Sequence, residues 1–133
     1  MAILTGVLAV DAGNPDALRA RGEILADLGD ARKALRDLDR AVRHDRPSTR
    51  AARGLAREEL GDLTASREIE GVLHDAPRNG PVLFYAARAE ALGGSEAAAV
   101  DLARRALNAT DPALPAHQRE AALKLVGQSP HDR

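Results

Sequence analysis

The sequence contains no cysteine, no tryptophan, a single phenylalanine (Phe84) and a single tyrosine (Tyr85), and no long hydrophobic run. Without cysteine there is no disulfide framework, no thiolate metal site and no cysteine nucleophile. The longest apolar stretch, Ala2 to Val10 interrupted by Thr5 and Gly6, is too short to cross a bilayer and has no basic segment before it. No membrane association is expected, and the cytoplasm is the expected compartment. Neither sign of charge dominates, since 19 Lys and Arg stand against 20 Asp and Glu for a net charge of -1. A global basic field that would recruit nucleic acid is therefore lacking. The scarcity of aromatic and β-branched residues removes the side chains that favour strands.

What is present is alanine and leucine, which head the helix-propensity ranking, in a chain of 133 residues that is 44 % hydrophobic. These numbers describe one ordinary all-α domain. Small core side chains let helix axes approach toward the short end of the roughly 8 to 10 Å range, which favours a stack of helices with local contacts over a single thick core.

A repeat of 32 residues runs through the chain. Leu28-Gly29-Asp30 recurs as Leu60-Gly61-Asp62 and again as Leu92-Gly93-Gly94, Arg21-Gly22 recurs as Arg53-Gly54, and Pro15 recurs as Pro47. A shift of 65 overlays Ala34, Arg40, Ala41, Val42 and Pro47 on Ala99, Arg105, Ala106, Leu107 and Pro112, with the extra residue in the turn that holds Ser95. Start and stop signals divide each unit into two helices. Asn14 is an N-cap with Pro15 at the first helical position, and Gly29 ends that helix. Ala31, Ala34, Leu35, Leu38, Ala41 and Val42 then form the apolar stripe of a second. The spacing predicts helices over 15-28, 31-44, 48-60, 63-75, 81-92 and 96-108. Residues 2-12 match the second helix of an earlier unit, so the chain reads as opening in mid-repeat. Pro115 starts a last helix that runs to about Val126, and residues 128-133 form a tail expected to be flexible.

Reactive groups are dispersed. His44, His74, His117 and His131 fall on separate elements, and no HExxH spacing occurs. There is no GxSxG elbow, and Gly93-Gly94 reads as a helix-ending turn without the surroundings of a phosphate loop. Glu58 and Glu59 occupy consecutive helical positions and point about 100° apart, which suits a solvated face better than acid-base work. Arg36, Arg40 and Arg43 share one helix with Asp37 and Asp39, which cancel most of their field, and no aromatic platform is interleaved for base stacking. No enzyme activity, cofactor, metal or nucleic-acid partner is expected.

The residues Leu18, Gly22, Leu25, Gly29, Ala34, Leu38, Ala41 and Pro47 resemble the pattern of the tetratricopeptide repeat, and the likeness covers residues 2 to 126. It implies an α-solenoid of antiparallel helix pairs wound into a right-handed superhelix. In this sequence that makes about three and a half repeats within residues 1-127: a half repeat over 2-12, repeats over about 15-46, 47-78 and 79-111, and a capping helix over 115-127. Small residues at Gly22, Gly54 and Ala86 fit the close packing of the two helices of a unit. The second unit departs from the pattern, because Arg50, Arg53 and Arg57 fall where large apolar residues are expected. Such arginines must lay their stems on the core with heads in water or be neutralised by acidic partners, as Arg21 would be by Asp37.

The resemblance also implies that the first helix of each unit lines a concave groove. On this chain those positions are Asp16, Arg19, Glu23 and Asp27, then Ser48, Ala51, Leu55, Glu58 and Glu59, then Leu83, Ala87 and Glu90. Six carboxylates would face one arginine, with shallow apolar spots at Leu55 and Leu83. The expectation is a non-catalytic scaffold that binds a protein or a peptide, basic in character, in this groove. The alternatives are a regulatory or docking arm of a larger enzyme or regulator, and a self-assembling structural protein.

Ile3, Leu4, Val7 and Leu8 form an uncharged edge on the opening half repeat. Terminal units of helical repeats ordinarily carry a polar outer face, and burying a few hundred Å² of apolar surface gains roughly 25 cal/mol per Å² before association costs. A homodimer, or a partner domain, packed on residues 2-10 is the expected outcome, with two-fold pairing the simplest closed form. Light scattering should give a dimer mass for the parent and a monomer mass for a Leu4→Glu, Leu8→Glu variant. A parent that stays monomeric at high concentration overturns this.

Overall fold

The computed structural model describes residues 14–41 and 46–127. The expected half repeat over 2-12, its edge residues Ile3, Leu4, Val7 and Leu8, and the tail over 128-133 lie outside the described residues. Seven helices and no strand occur among the described residues: α1 (Pro15–Asp27), α2 (Ala31–Ala41), α3 (Pro47–Glu59), α4 (Ala65–Asp75), α5 (Gly80–Leu92), α6 (Glu96–Leu107) and α7 (Ala116–Gly127).

Local chemistry sets the boundaries. The Asn14 side chain accepts from the Ala17 amide at 2.9 Å, and Asn79 accepts in the same way from Val82 at 3.1 Å. Each cap satisfies one of the amides that a helix N-terminus leaves open. At the other ends α1, α3 and α5 close with the same turn. Gly29, Gly61 and Gly94 take φ of 82°, 92° and 83°, and the following amides of Asp30, Asp62 and Ser95 donate back to Leu25, Arg57 and Glu90, each at 2.9 Å. The left-handed residue turns the chain, and the returning amide satisfies a carbonyl of the last turn. The expected start of the fourth helix at 63 moves to Ala65. There the Asp62 carboxylate accepts from both the amide and the hydroxyl of Thr64, at 3.0 and 2.7 Å, and holds residues 62–64 in a turn.

The helices pack in neighbouring pairs, α1 on α2, α3 on α4 and α5 on α6. The odd-numbered helices also pack on one another in succession, while α2, α4 and α6 each pack on the odd-numbered helix that follows. Two pairs are held close by glycine. A Cβ on Gly22 would lie 2.7 Å from Leu38 Cγ, and one on Gly54 would lie 2.6 Å from Ile69 Cγ1. Ala86, at the corresponding place in the third pair, is buried. The core is mostly alanine and leucine, with the two aromatic residues concentrated on α5, where Phe84 and Tyr85 stack obliquely with centroids 5.6 Å apart.

Ion pairs staple helices within these pairs and also between them. Arg21 on α1 makes a two-pronged contact with Asp37 on α2, Nε to Oδ2 at 2.6 Å and Nη2 to Oδ1 at 2.8 Å, and Asp37 is only 2 % exposed. A buried carboxylate is tolerable because a planar guanidinium matches both of its oxygens. In the second unit Arg53 reaches Asp39 at 2.8 Å and Glu68 at 3.5 Å, and Arg57 joins Asp62 and Glu68. The arginines at 53 and 57 are thus neutralised by acidic partners. Shared by Thr64 and Arg57, the Asp62 carboxyl is held down at about 2.

Glycine substitutions separate packing from propensity. Gly54→Leu should cost about 1–3 kcal/mol or more through overpacking against Ile69. Gly71→Ala, on an open face of α4 where a Cβ meets nothing within 4 Å, should stabilise by up to about 1 kcal/mol. Urea unfolding midpoints check both. Equal shifts of the same sign would show that the α3–α4 contact is not close.

Candidate functional site

Four odd-numbered helices meet at one cavity of about 330 Å³. From α1 come Arg19, Glu23 and Asp27, with the apolar surfaces of Ala20 and Ile24 between them. Ser48 of α3 forms one side, Pro81 and Tyr85 of α5 another, and Pro115, His117 and Gln118 bring the start of α7 across. The spacing of 19, 23 and 27 explains the wall on α1, because residues four apart lie above one another on a helix.

Asp27 is the hub. Gln118 Nε2 lies 3.2 Å from each of its oxygens and 3.0 Å from the Tyr85 hydroxyl, and His117 Nε2 is 3.1 Å from Asp27 Oδ2. Gln118 is 4 % exposed, and its Oε1 has no hydrogen-bond donor among the described residues. A buried amide oxygen without a donor carries a desolvation cost of about 1–3 kcal/mol. Arg19 is engaged by Glu23 at 3.1 Å, so two carboxylates stand against one guanidinium on this wall. Burial first, then the charges of Asp27 and Glu23, push the Tyr85 phenol well above its ordinary range.

Of the expected groove residues, Arg19, Glu23, Asp27 and Ser48 do share this cavity, while Asp16 is exposed in the first turn of α1. The others do not join them. Ala51, Leu55 and Ala87 are fully buried, which corrects the expectation of a shallow apolar spot at Leu55, while Leu83, 2 % exposed, lines a different cavity. Their helices α3 and α5 have neighbours on several sides, so positions that α1 leaves open become core one and two units later. Glu59 is neutralised by Arg88, which reaches it at 3.2 Å while donating to the Ala26 carbonyl at 2.9 Å. Glu58 and Glu90 turn to a different cavity of about 210 Å³ that α4 and α6 help to line. Desolvation, reinforced by Glu90, raises the Glu58 carboxyl. The single acidic face is therefore divided.

Tyr85, His117 and Gln118 were not legible as site residues. Tyr85 could have been singled out as the chain's one phenol, but its partner on α7 is 33 residues away and Asp27 lies 91 residues from Gln118. No contact of that range is encoded in a 32-residue period.

Among the described residues no group of three or more His, Cys, Asp or Glu is placed to hold a metal ion, and no helix is long and apolar enough to cross a membrane. No protein-family model matches the sequence, and no curated protein matches it significantly.

Because Tyr85 is the only tyrosine, its ionisation can be read directly. The raised native pKa means that stability is full below the unfolded value near 10 and is lost as pH rises above it. Native protein should show no tyrosinate absorbance near pH 10, whereas urea-unfolded protein should. Asp27→Asn should bring the native transition down. A native tyrosine that titrates normally would show that the phenol is not enclosed by α1 and α7.

Proposed function

We propose that the chain is a non-catalytic interaction module of the tetratricopeptide kind, an α-solenoid whose cavity between α1, α3, α5 and α7 receives a basic side chain of a peptide or protein partner. The observation that carries this reading is the acceptor-rich cavity itself. It presents Glu23 and Asp27, with Arg19 already engaged by Glu23 and with the buried Gln118 oxygen lacking a donor. An ammonium or guanidinium group supplies both the missing hydrogen and the opposite charge. Pairwise packing of helices, close approach at Gly22 and Gly54 and the recurring glycine turn support the repeat reading. A cavity of about 330 Å³ has room for one long side chain and not for a folded segment.

Titration of the full chain with arginine-containing and lysine-containing peptides, followed by amide shifts of Glu23, Asp27 and Gln118, tests the proposal. Binding should weaken as salt is raised, since exposed charges are screened over about 8 Å at physiological ionic strength. Glu23→Gln should reduce affinity several-fold. Preference for an acidic peptide, or shifts confined to other surfaces, would overturn it.

A further inference from the structure

On the other side of the first turns of α5 lies a second cavity, of about 350 Å³ and opposite character. Arg78 enters it from the loop before α5, Arg104 and Arg105 from the last turn of α6, and Asn108 and Thr110 from the segment that follows. Pro77, Leu83 and Ala109 supply apolar walls, and no carboxylate lines it. We propose that this cavity binds a phosphomonoester carried on an apolar stem. The inference is independent of the basic-partner reading above.

Two of the three arginines have a local reason to be where they are, because cations are favoured at the C-terminal turn of a helix. Arg78 has none. It comes from a different element and makes no hydrogen bond or ion pair with any described residue. Arg105 is only loosely engaged, 3.9 Å from the exposed Asp101 carboxylate and 3.5 Å from the Pro77 carbonyl, so most of its donors remain available. Exposed guanidinium groups from two elements line one concavity that has no carboxylate among its walls, an arrangement that favours an anion seated between them. A phosphomonoester carries a charge of about -1.5 to -2 and three acceptor oxygens, which matches several guanidinium groups as a carboxylate with a single charge does not. Asn108 is positioned beside them by donating to the Arg104 carbonyl at 3.0 Å, and Thr110 adds a hydroxyl. The apolar walls at Pro77, Leu83 and Ala109 favour a phosphoryl group esterified to an organic stem over a free phosphate ion.

Phenyl phosphate, inorganic phosphate, benzoate and a short single-stranded oligonucleotide are titrated separately into the full chain. Affinity is measured by calorimetry, and the location is read from the amides of Leu83, Asn108 and Thr110. Phenyl phosphate should shift those amides and bind about tenfold or more tightly than benzoate or inorganic phosphate, the difference expected for one lost charge-assisted or apolar contact set. Arg78→Gln and Arg105→Gln should each weaken it by about tenfold while Arg67→Gln, on the exposed surface of α4, leaves it unchanged. Circular dichroism confirms that each variant remains helical, and the paired Arg78 and Arg105 variants keep the test decisive if one of them fails to fold. Benzoate as tight as phenyl phosphate means generic anion attraction and overturns the proposal. Inorganic phosphate as tight as phenyl phosphate removes the apolar stem, tighter binding of the oligonucleotide makes this a nucleic-acid surface, and no shift at the three amides removes the site; each refutes the proposal as stated.

Discussion

The distance between the two helices of a pair is the constraint on which everything else rests. At Gly22 and Gly54 the partner's Leu38 and Ile69 come so near that even a methyl group would have to displace them. Only at that separation do side chains on adjoining helices bridge the pair as Arg21 and Asp37 do. Asp37 can be buried because its guanidinium partner arrives in register, and that register is a product of the glycine contact one residue along α1. A core built on alanine has little volume with which to absorb misfit. Interiors packed to crystal-like density respond to a change of one carbon, so the glycine, the leucine beside it and the ion pair behave as one unit.

The aromatic residues occupy the one place where the small-residue economy does not suffice. α5 packs on α3, α4, α6 and α7, and its first half is buried almost all round. Phe84 and Tyr85 fill that junction, with the guanidinium of Arg88 5.8 Å from the Phe84 ring centroid, within the range of a cation–π contact. The same half helix separates the two cavities. Tyr85 and Pro81 face the acidic one and Leu83 the basic one, so charge of opposite sign is sorted by a single buried segment.

Periodicity and capping chemistry made the helices legible to within a residue or two at most ends. Asn14 with Pro15, the three Leu-Gly turns and the apolar stripe from Ala31 to Ala41 are local signals, and the local structure obeys them. The pairing of Arg21 with Asp37 was also readable, since it follows from setting two adjacent helices antiparallel. The binding face was less so. A period states which residues share the side of a helix, and it is silent about which neighbour covers that side. Leu55 and Glu23 are equivalent by the 32-residue shift, yet one is core and the other lines a cavity, because α3 has a helix before and after it in the described stack. Gly80 is a comparable omission. A Cβ there would lie 2.7 Å from the Leu114 amide nitrogen and 2.9 Å from the Pro112 carbonyl oxygen, and the Gly80 amide donates to that carbonyl. Its partner is a loop that no repeat contains.

Arg88 has a consequence for how the chain comes apart. In a linear array each unit touches only its neighbours, and such arrays can unravel from an end one unit at a time. Here a guanidinium on α5 ties the Ala26 carbonyl of α1 to the Glu59 carboxylate of α3, while Gln118 of α7 reaches back to α1. Detaching the first described pair therefore breaks contacts owned by the third pair and by the last helix. These contacts couple the two ends of the described helices, so opening of α1 weakens the anchoring of α5 and α7 rather than remaining a purely local event.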